Sequence, residues 1–164
     1  MNFEQLFLMQ QQLNERIVNK YNLHDKELYE EHLFALIVEL GELANETRCF
    51  KYWSIKPPSP RNVILEEYVD GFHFILSLGL DLNINKNEIS FIESTNSEKT
   101  VIEQFLSLYK IISQLQVNKS KNVYLLLLSN YLDLGYMLGF TNDDIVTAYF
   151  DKNAVNHERQ DTGY

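Results

Sequence analysis

Residues 62–80, NVILEEYVDGFHFILSLGL, place Val63, Ile64, Leu65, Val69, Phe72, Phe74, Ile75, Leu76 and Leu78 around nearly every direction of a helical wheel. A helix that is apolar all round is buried, so this segment calls for a helical core to enclose it. It nevertheless carries Glu67 and Asp70, which share a seam with Phe74 and Ser77. Burying a carboxylate without a partner is costly, and the pair therefore needs a physical reason.

A second acidic pair lies just upstream. The segment from about Asp25 to Phe50 has an apolar stripe of Leu33, Leu36, Ile37, Leu40, Leu43 and Ala44, with Glu39, Glu42 and Glu46 on its flank. KPPSP at 56–60 ends the pattern, because proline removes a donor and restricts the residue before it. So short a connection makes the two helices antiparallel neighbours. Glu42 precedes the break by about eight residues and Glu67 follows it by about five. At a rise of about 1.5 Å per residue the two pairs reach similar depths. Residues three apart lie on nearly the same helix face, so four carboxylates are expected to face one another across the hairpin. Bare, that arrangement suffers like-charge repulsion and desolvation. A divalent cation relieves both, and all-oxygen ligation favours Mg²⁺, or Mn²⁺, over zinc. Two other readings compete. An ExxE pair is often only a solvated helix face. The spacing also continues to His73, but di-iron bundles use Glu-x-x-His on two helices and no second such motif is present. A lone interior histidine is more often hydrogen-bonded than a ligand.

The rest of the chain is consistent with an all-α bundle of about six helices in one domain spanning 1–164. The first helix covers about 2–20, with Phe3, Leu6, Phe7, Gln10, Leu13 and Ile17 at helical spacing. After an irregular Asn- and Ser-rich connection, DLNINKNEISFIESTNS, a fourth helix is expected over about 98–117 and a fifth over about 121–138. Gly139 is a natural stop. TNDD at 141–144 reads as a capping start for a sixth helix ending near Asn156, followed by a polar tail. Six glycines and three prolines in 164 residues disfavour a loop-rich sheet protein, and no stretch alternates as a strand does.

The formal net charge of −9 argues against binding a nucleic-acid backbone. The lone Cys49 allows no intrachain disulfide and fits no metal-type spacing. The amino terminus lacks the features of a signal peptide. Asn130 and Asp133 interrupt the most apolar run, VYLLLLSNYLDLGYMLGF, so no membrane span is expected. These features suggest a soluble, cytoplasmic protein.

ELGE followed by EYVD resembles the ExxE…ExxD signature of the all-α nucleoside triphosphate pyrophosphatases, the superfamily that includes MazG-type enzymes. MQQQLNERI, NETRCFKYW, VDGFHFILSLGL and YFDKNAVNHERQDTGY are similar to further motifs of its dimeric dUTPase branch. The resemblance covers nearly the whole chain and is weakest over about 83–140. It implies Mg²⁺-dependent hydrolysis of dUTP, and of dUDP, to dUMP by a homodimer. Glu39, Glu42, Glu67 and Asp70 would hold the metal, and Glu39 would also orient and deprotonate the attacking water. Residues 150–164 would form a phosphate-binding tail through Lys152, Asn153, Arg159 and Tyr164, with Tyr149 and Asn156 assisting. Gln10 or Asn14 could bond the uracil edge, since amides both donate and accept. Phe74 could exclude a ribose 2′-hydroxyl. Trp53 is read either as a wall of the base pocket or as a core anchor of its loop, and Lys51 either as a phosphate contact or as a plain surface lysine. The alternatives to dUTP hydrolysis are a sister pyrophosphatase acting on dCTP or a non-standard nucleotide, and a catalytically silent acidic interaction protein.

Overall fold

The structure is a computed structural model, and it describes residues 1–84, 89 and 99–163. The described residues form six α-helices and no strand: α1 Phe3–Tyr21, α2 Tyr29–Thr47, α3 Arg61–Asp81, α4 Val101–Val117, α5 Lys121–Met137 and α6 Asn142–Thr162. The fold is thus the all-α bundle that the apolar periodicities predict. Most of the expected irregular connection over 81–97, and Tyr164, lie outside the described residues. Among the described residues no single helix is long and apolar enough to cross a membrane.

The apolar α3 is the hub, packing against α1, α2, α5 and α6. Tyr68, Val69, Phe72, Ile75, Leu76 and Leu78 are all fully enclosed. Its seam with α5 is built from tyrosines set against glycines. The Tyr68 hydroxyl donates to the Tyr131 carbonyl at 3.0 Å, and the Tyr131 hydroxyl donates to the Tyr68 carbonyl at 2.6 Å. Tyr124 likewise donates to the Ile75 carbonyl at 3.1 Å. These bonds satisfy hydroxyls that would otherwise be stranded in the core. They also require the phenols to reach the opposing backbone. A Cβ on Gly71 would stand 2.3 Å from the Tyr131 hydroxyl, and one on Gly135 would stand 2.7 Å from that of Tyr68. Neither contact is sterically allowed.

Helix boundaries depart from the sequence-based expectation in two places. Helix α2 begins at Tyr29 rather than near Asp25, after a Leu28 cap that uses no side chain. Helix α6 begins as expected, on a Thr141–Asp144 capping box, but it continues to Thr162. The expected polar tail is therefore mostly helix. It lies on α1, where Arg16 pairs with Asp161 and meets His157 Nδ1 at 3.2 Å, and where Lys20 donates to the Gln160 carbonyl. Gly163, at φ 78°, closes the helix.

The seam sets a stability test. Gly71→Ala is expected to lower unfolding stability by about 1–3 kcal/mol through overpacking. Gly41→Ala meets nothing nearer than the Tyr109 hydroxyl at 3.8 Å and should be neutral or stabilising by up to about 1 kcal/mol. Urea unfolding of the two variants checks the contrast.

Candidate metal centre and its surroundings

The α2–α3 hairpin is the most extensive helix pair in the fold. Its connection is held by backbone-directed side chains. Arg48, in the left-handed region at φ 56°, ends α2 and donates to the Lys56 carbonyl and the Ser54 hydroxyl. Glu46 accepts from the Ser59 hydroxyl, and its carbonyl accepts from the Ser59 amide at 3.0 Å. Glu46 therefore pins the proline-rich turn and fixes where α3 starts.

With that register, Glu39 from α2 and Glu67 and Asp70 from α3 converge. One carboxylate oxygen of each lies within 4.8 Å of the others, and all three side chains are half-buried. Gly71 forms the floor, since its missing Cβ would sit 3.6 Å from the Cβ of Glu39. Glu42, expected as a fourth member, is exposed. It is close enough for its charge to act on both Glu39 and Glu67.

The electrostatics follow from this crowding. Burial pushes the Glu39 carboxyl up to about 7, with the charges of Asp70, Glu42 and Glu67 adding to the effect. Glu67 is raised by burial and then by Asp70 and Glu42. Asp70 is also raised by burial, although Lys152 opposes the shift. Three desolvated acids with raised pKa values form a site that gains from positive charge. Their donor set is all oxygen and suits a hard divalent ion.

Helix α6 supplies the cationic side. Lys152 Nζ lies 2.7 Å from Asp70 Oδ2 and 2.8 Å from Glu66 Oε1, with its side chain only 11% exposed. Burial disfavours its charge, but the hydrogen bonds to Asp70 and Glu66 outweigh burial and leave its pKa raised. Arg159 is half-buried and donates to Asn156 Oδ1 at 3.3 Å, and its charge bears on Glu66 and Asp70. Asn153 is 3% exposed, and its Nδ2 has no hydrogen-bond partner.

Beside the acids lies a buried polar chain that the sequence only partly announces. Gln10 Oε1 accepts from the Tyr149 hydroxyl at 3.0 Å and pairs with His73 Nδ1 at 2.8 Å. Since Oε1 can only accept, Nδ1 carries the proton and His73 Nε2 is left as a bare acceptor. That atom is buried and unpartnered. Burial, with Lys152 second, lowers the His73 pKa to about 3, so the ring is neutral. Gln10 Nε2 donates to Asn14 Oδ1 at 2.9 Å, and Asn14 Nδ2 donates to Ser77 Oγ at 3.1 Å. Gln10 is thus an interior residue, 3% exposed, while Asn14 is half-buried and borders a cavity of about 440 Å³ with His32 and Asp81. Phe74 is half-buried against the His32 ring, 6.4 Å between centroids.

Trp53 is 63% exposed, so the core-anchor reading does not hold. It meets Tyr52 edge-on at 5.0 Å and Phe50 at 5.9 Å. Lys51 donates to Asn45 Oδ1 and lies over the Phe50 ring. Sequence reasoning missed Glu66 as a member of these networks, and it placed Ser77 on the seam without giving it a partner. Position offers a signal for both: Glu66 is four residues before Asp70, and Ser77 lies on the same seam.

A pH test follows. The folded-state pKa of Glu39 lies above its ordinary 4.5, so the folded chain keeps a proton that the unfolded chain has lost. Stability linked to Glu39 is therefore present below about 4.5 and is lost as pH rises toward about 7. In metal-free protein the melting temperature of Glu39→Gln should gain on the wild type across that window and then level off. A constant difference would show that Glu39 is not perturbed.

The sequence model of a family described as dUTPase matches residues 2–164. No curated protein matches the chain significantly.

Proposed function

The chain belongs to the dUTPase family, and from that premise we propose that it hydrolyses dUTP, and dUDP, to dUMP in a Mg²⁺-dependent reaction centred on Glu39, Glu67 and Asp70. Hydrolysis of dUTP as a diphosphatase is what the family does across the whole matched length. The observation that carries the metal assignment is the convergence of the three carboxylates within 4.8 Å. Glu42, at the rim, completes the ligand set.

A bound divalent ion would lower the pKa of water and offset charge on the leaving phosphate. The chain's own contributions are positional. Glu39 is the most strongly perturbed of the acids and takes the proton from the attacking water. Glu67 and Asp70 would hold the divalent ion from α3. Lys152 and Arg159 present cations from α6 to the phosphate oxygens, Arg159 with the capacity for a bidentate contact. Tyr164 and Asn153 act with them, so that residues 150–164 form the phosphate-binding end of a single domain. Asn14 reads the uracil edge, its amide oriented by Gln10 and Ser77. Phe74 restricts the sugar, and the exposed Trp53 closes over the base.

We also propose a homodimer. Phe34 and Val38 of α2, and Ile102 and Leu106 of the adjacent α4, are exposed by 67%, 42%, 42% and 63%. Together they offer an apolar face for a second copy.

The decisive experiment measures pyrophosphate release from dUTP, dCTP, dTTP and UTP side by side, with Mg²⁺ and with chelator. dUTP should be preferred, and the chelator should abolish turnover. Glu39→Ala and Asp70→Asn should each lose at least about 10²-fold in kcat, given the size of metal and general-base contributions. A preference for dCTP would move the chain to a sister specificity, and robust turnover by either variant would overturn the mechanism. A solution mass near 19.3 kDa would contradict the dimer.

A further inference from the structure

Lys152 is placed where a metal would compete with it. Its ammonium lies 2.7 Å from Asp70, one of the three converging acids, and 2.8 Å from Glu66, which is not among them. Glu66 and Asp70 are four residues apart, one helical turn along α3, so a single ammonium can span both. Glu66 is 59% exposed on its side chain while Asp70 is 22% exposed. The two partners therefore differ: Asp70 faces the acid cluster and Glu66 faces outward.

A cation and an ammonium cannot share the same face of Asp70 without repulsion. Full release of Lys152 to solvent would leave a long, half-buried side chain without a partner. Glu66 removes that difficulty. We infer that Lys152 is the resident counter-ion of the metal-free site, that a divalent ion displaces it from Asp70, and that Glu66 is the positioning residue that retains its ammonium beside the site, where phosphate oxygens arrive. This rests on the reading that Glu39, Glu67 and Asp70 hold the metal. It extends that reading by assigning Glu66 a role and by giving Lys152 two successive partners.

The consequence is a competition that can be read without turnover. Mn²⁺ alone is titrated into the full-length, nucleotide-free protein, and free ion is followed by electron paramagnetic resonance. Lys152→Met, with Lys152→Gln as a second variant that keeps a polar head, should tighten Mn²⁺ binding by about three- to tenfold, because a nearby competing charge has gone. Glu66→Gln should weaken it in the wild-type background, since Lys152 then clings to Asp70 alone. In the Lys152→Met background the same Glu66→Gln change should have almost no effect, a non-additivity that a double-mutant cycle isolates. Because Glu66 is exposed, its variant is expected to fold normally, which circular dichroism verifies.

Unchanged or weaker Mn²⁺ binding in both Lys152 variants would overturn the competition. An equal loss from Glu66→Gln in both backgrounds would make Glu66 a through-space charge and overturn its positioning role. Asp70→Asn separates these failures from failure of the underlying reading. If Mn²⁺ binds that variant as tightly as the wild type, the ion is not at this site and the assignment falls with it.

Discussion

Three carboxylates meet at the interface of α2 and α3, and most of the structure around them can be understood as managing that repulsion. Desolvation is the largest cause raising each of them, and Asp70 adds to the rise of both Glu39 and Glu67. The hairpin cannot correct this from within, because α2 and α3 bring no base to the cluster. The correction comes from α6, whose Lys152 reaches Asp70 across the chain. The last helix is therefore part of the site's electrostatics rather than an appendage, and its docking on α1 through Arg16 and Lys20 holds the cationic residues over the acids. One lysine leaves a net negative site. That residual charge is what a divalent ion would offset.

The depth of the acids depends on a different constraint, the close approach of α3 and α5. Glycine in a helix interior costs about 1 kcal/mol relative to alanine, and α3 carries two, Gly71 and Gly79. Both admit a tyrosine hydroxyl from α5. The exchange of hydroxyl-to-carbonyl bonds between Tyr68 and Tyr131 locks the register of the two helices. Since Gly71 follows Asp70 directly and lies against Glu39, that register also sets how the acids are presented. Packing and chemistry are thus coupled through one residue without a side chain.

Much of this was legible in the sequence because it rests on local rules. The apolar wheel of α3, the proline break, the matched depth of the acids and the Thr141–Asp144 box all follow from spacing. Even the burial of Gln10 is implied by its place in the stripe of Leu6 and Leu13. What was not legible depends on distant pairs. The length of α6 was underestimated because its end is polar, and its support comes from Arg16–Asp161, a pair 145 positions apart. The Lys152–Glu66 contact spans 86 positions and has no local signature. The start of α2 was misplaced because Asp25 has the chemistry of a cap while the structure uses Leu28 without one.

The buried polar chain shows why a site of this kind needs an interior that is not purely apolar. Gln10, His73, Tyr149, Asn14 and Ser77 form a directional sequence of donors and acceptors in which each group fixes the next. With Nδ1 protonated, His73 holds Gln10 with Oε1 toward the ring, which leaves Gln10 Nε2 to engage Asn14 Oδ1. Were His73 charged, Nε2 would become a stranded buried donor, at a large desolvation cost, and the charge of Lys152 would oppose it further. The lowered pKa of His73 and the raised pKa of Glu39 are thus two results of the same burial. It holds a histidine neutral while destabilising the ionised acids beside it on α3. In the proposed reading, such a pre-set amide network would let Asn14 discriminate among bases instead of adapting to each.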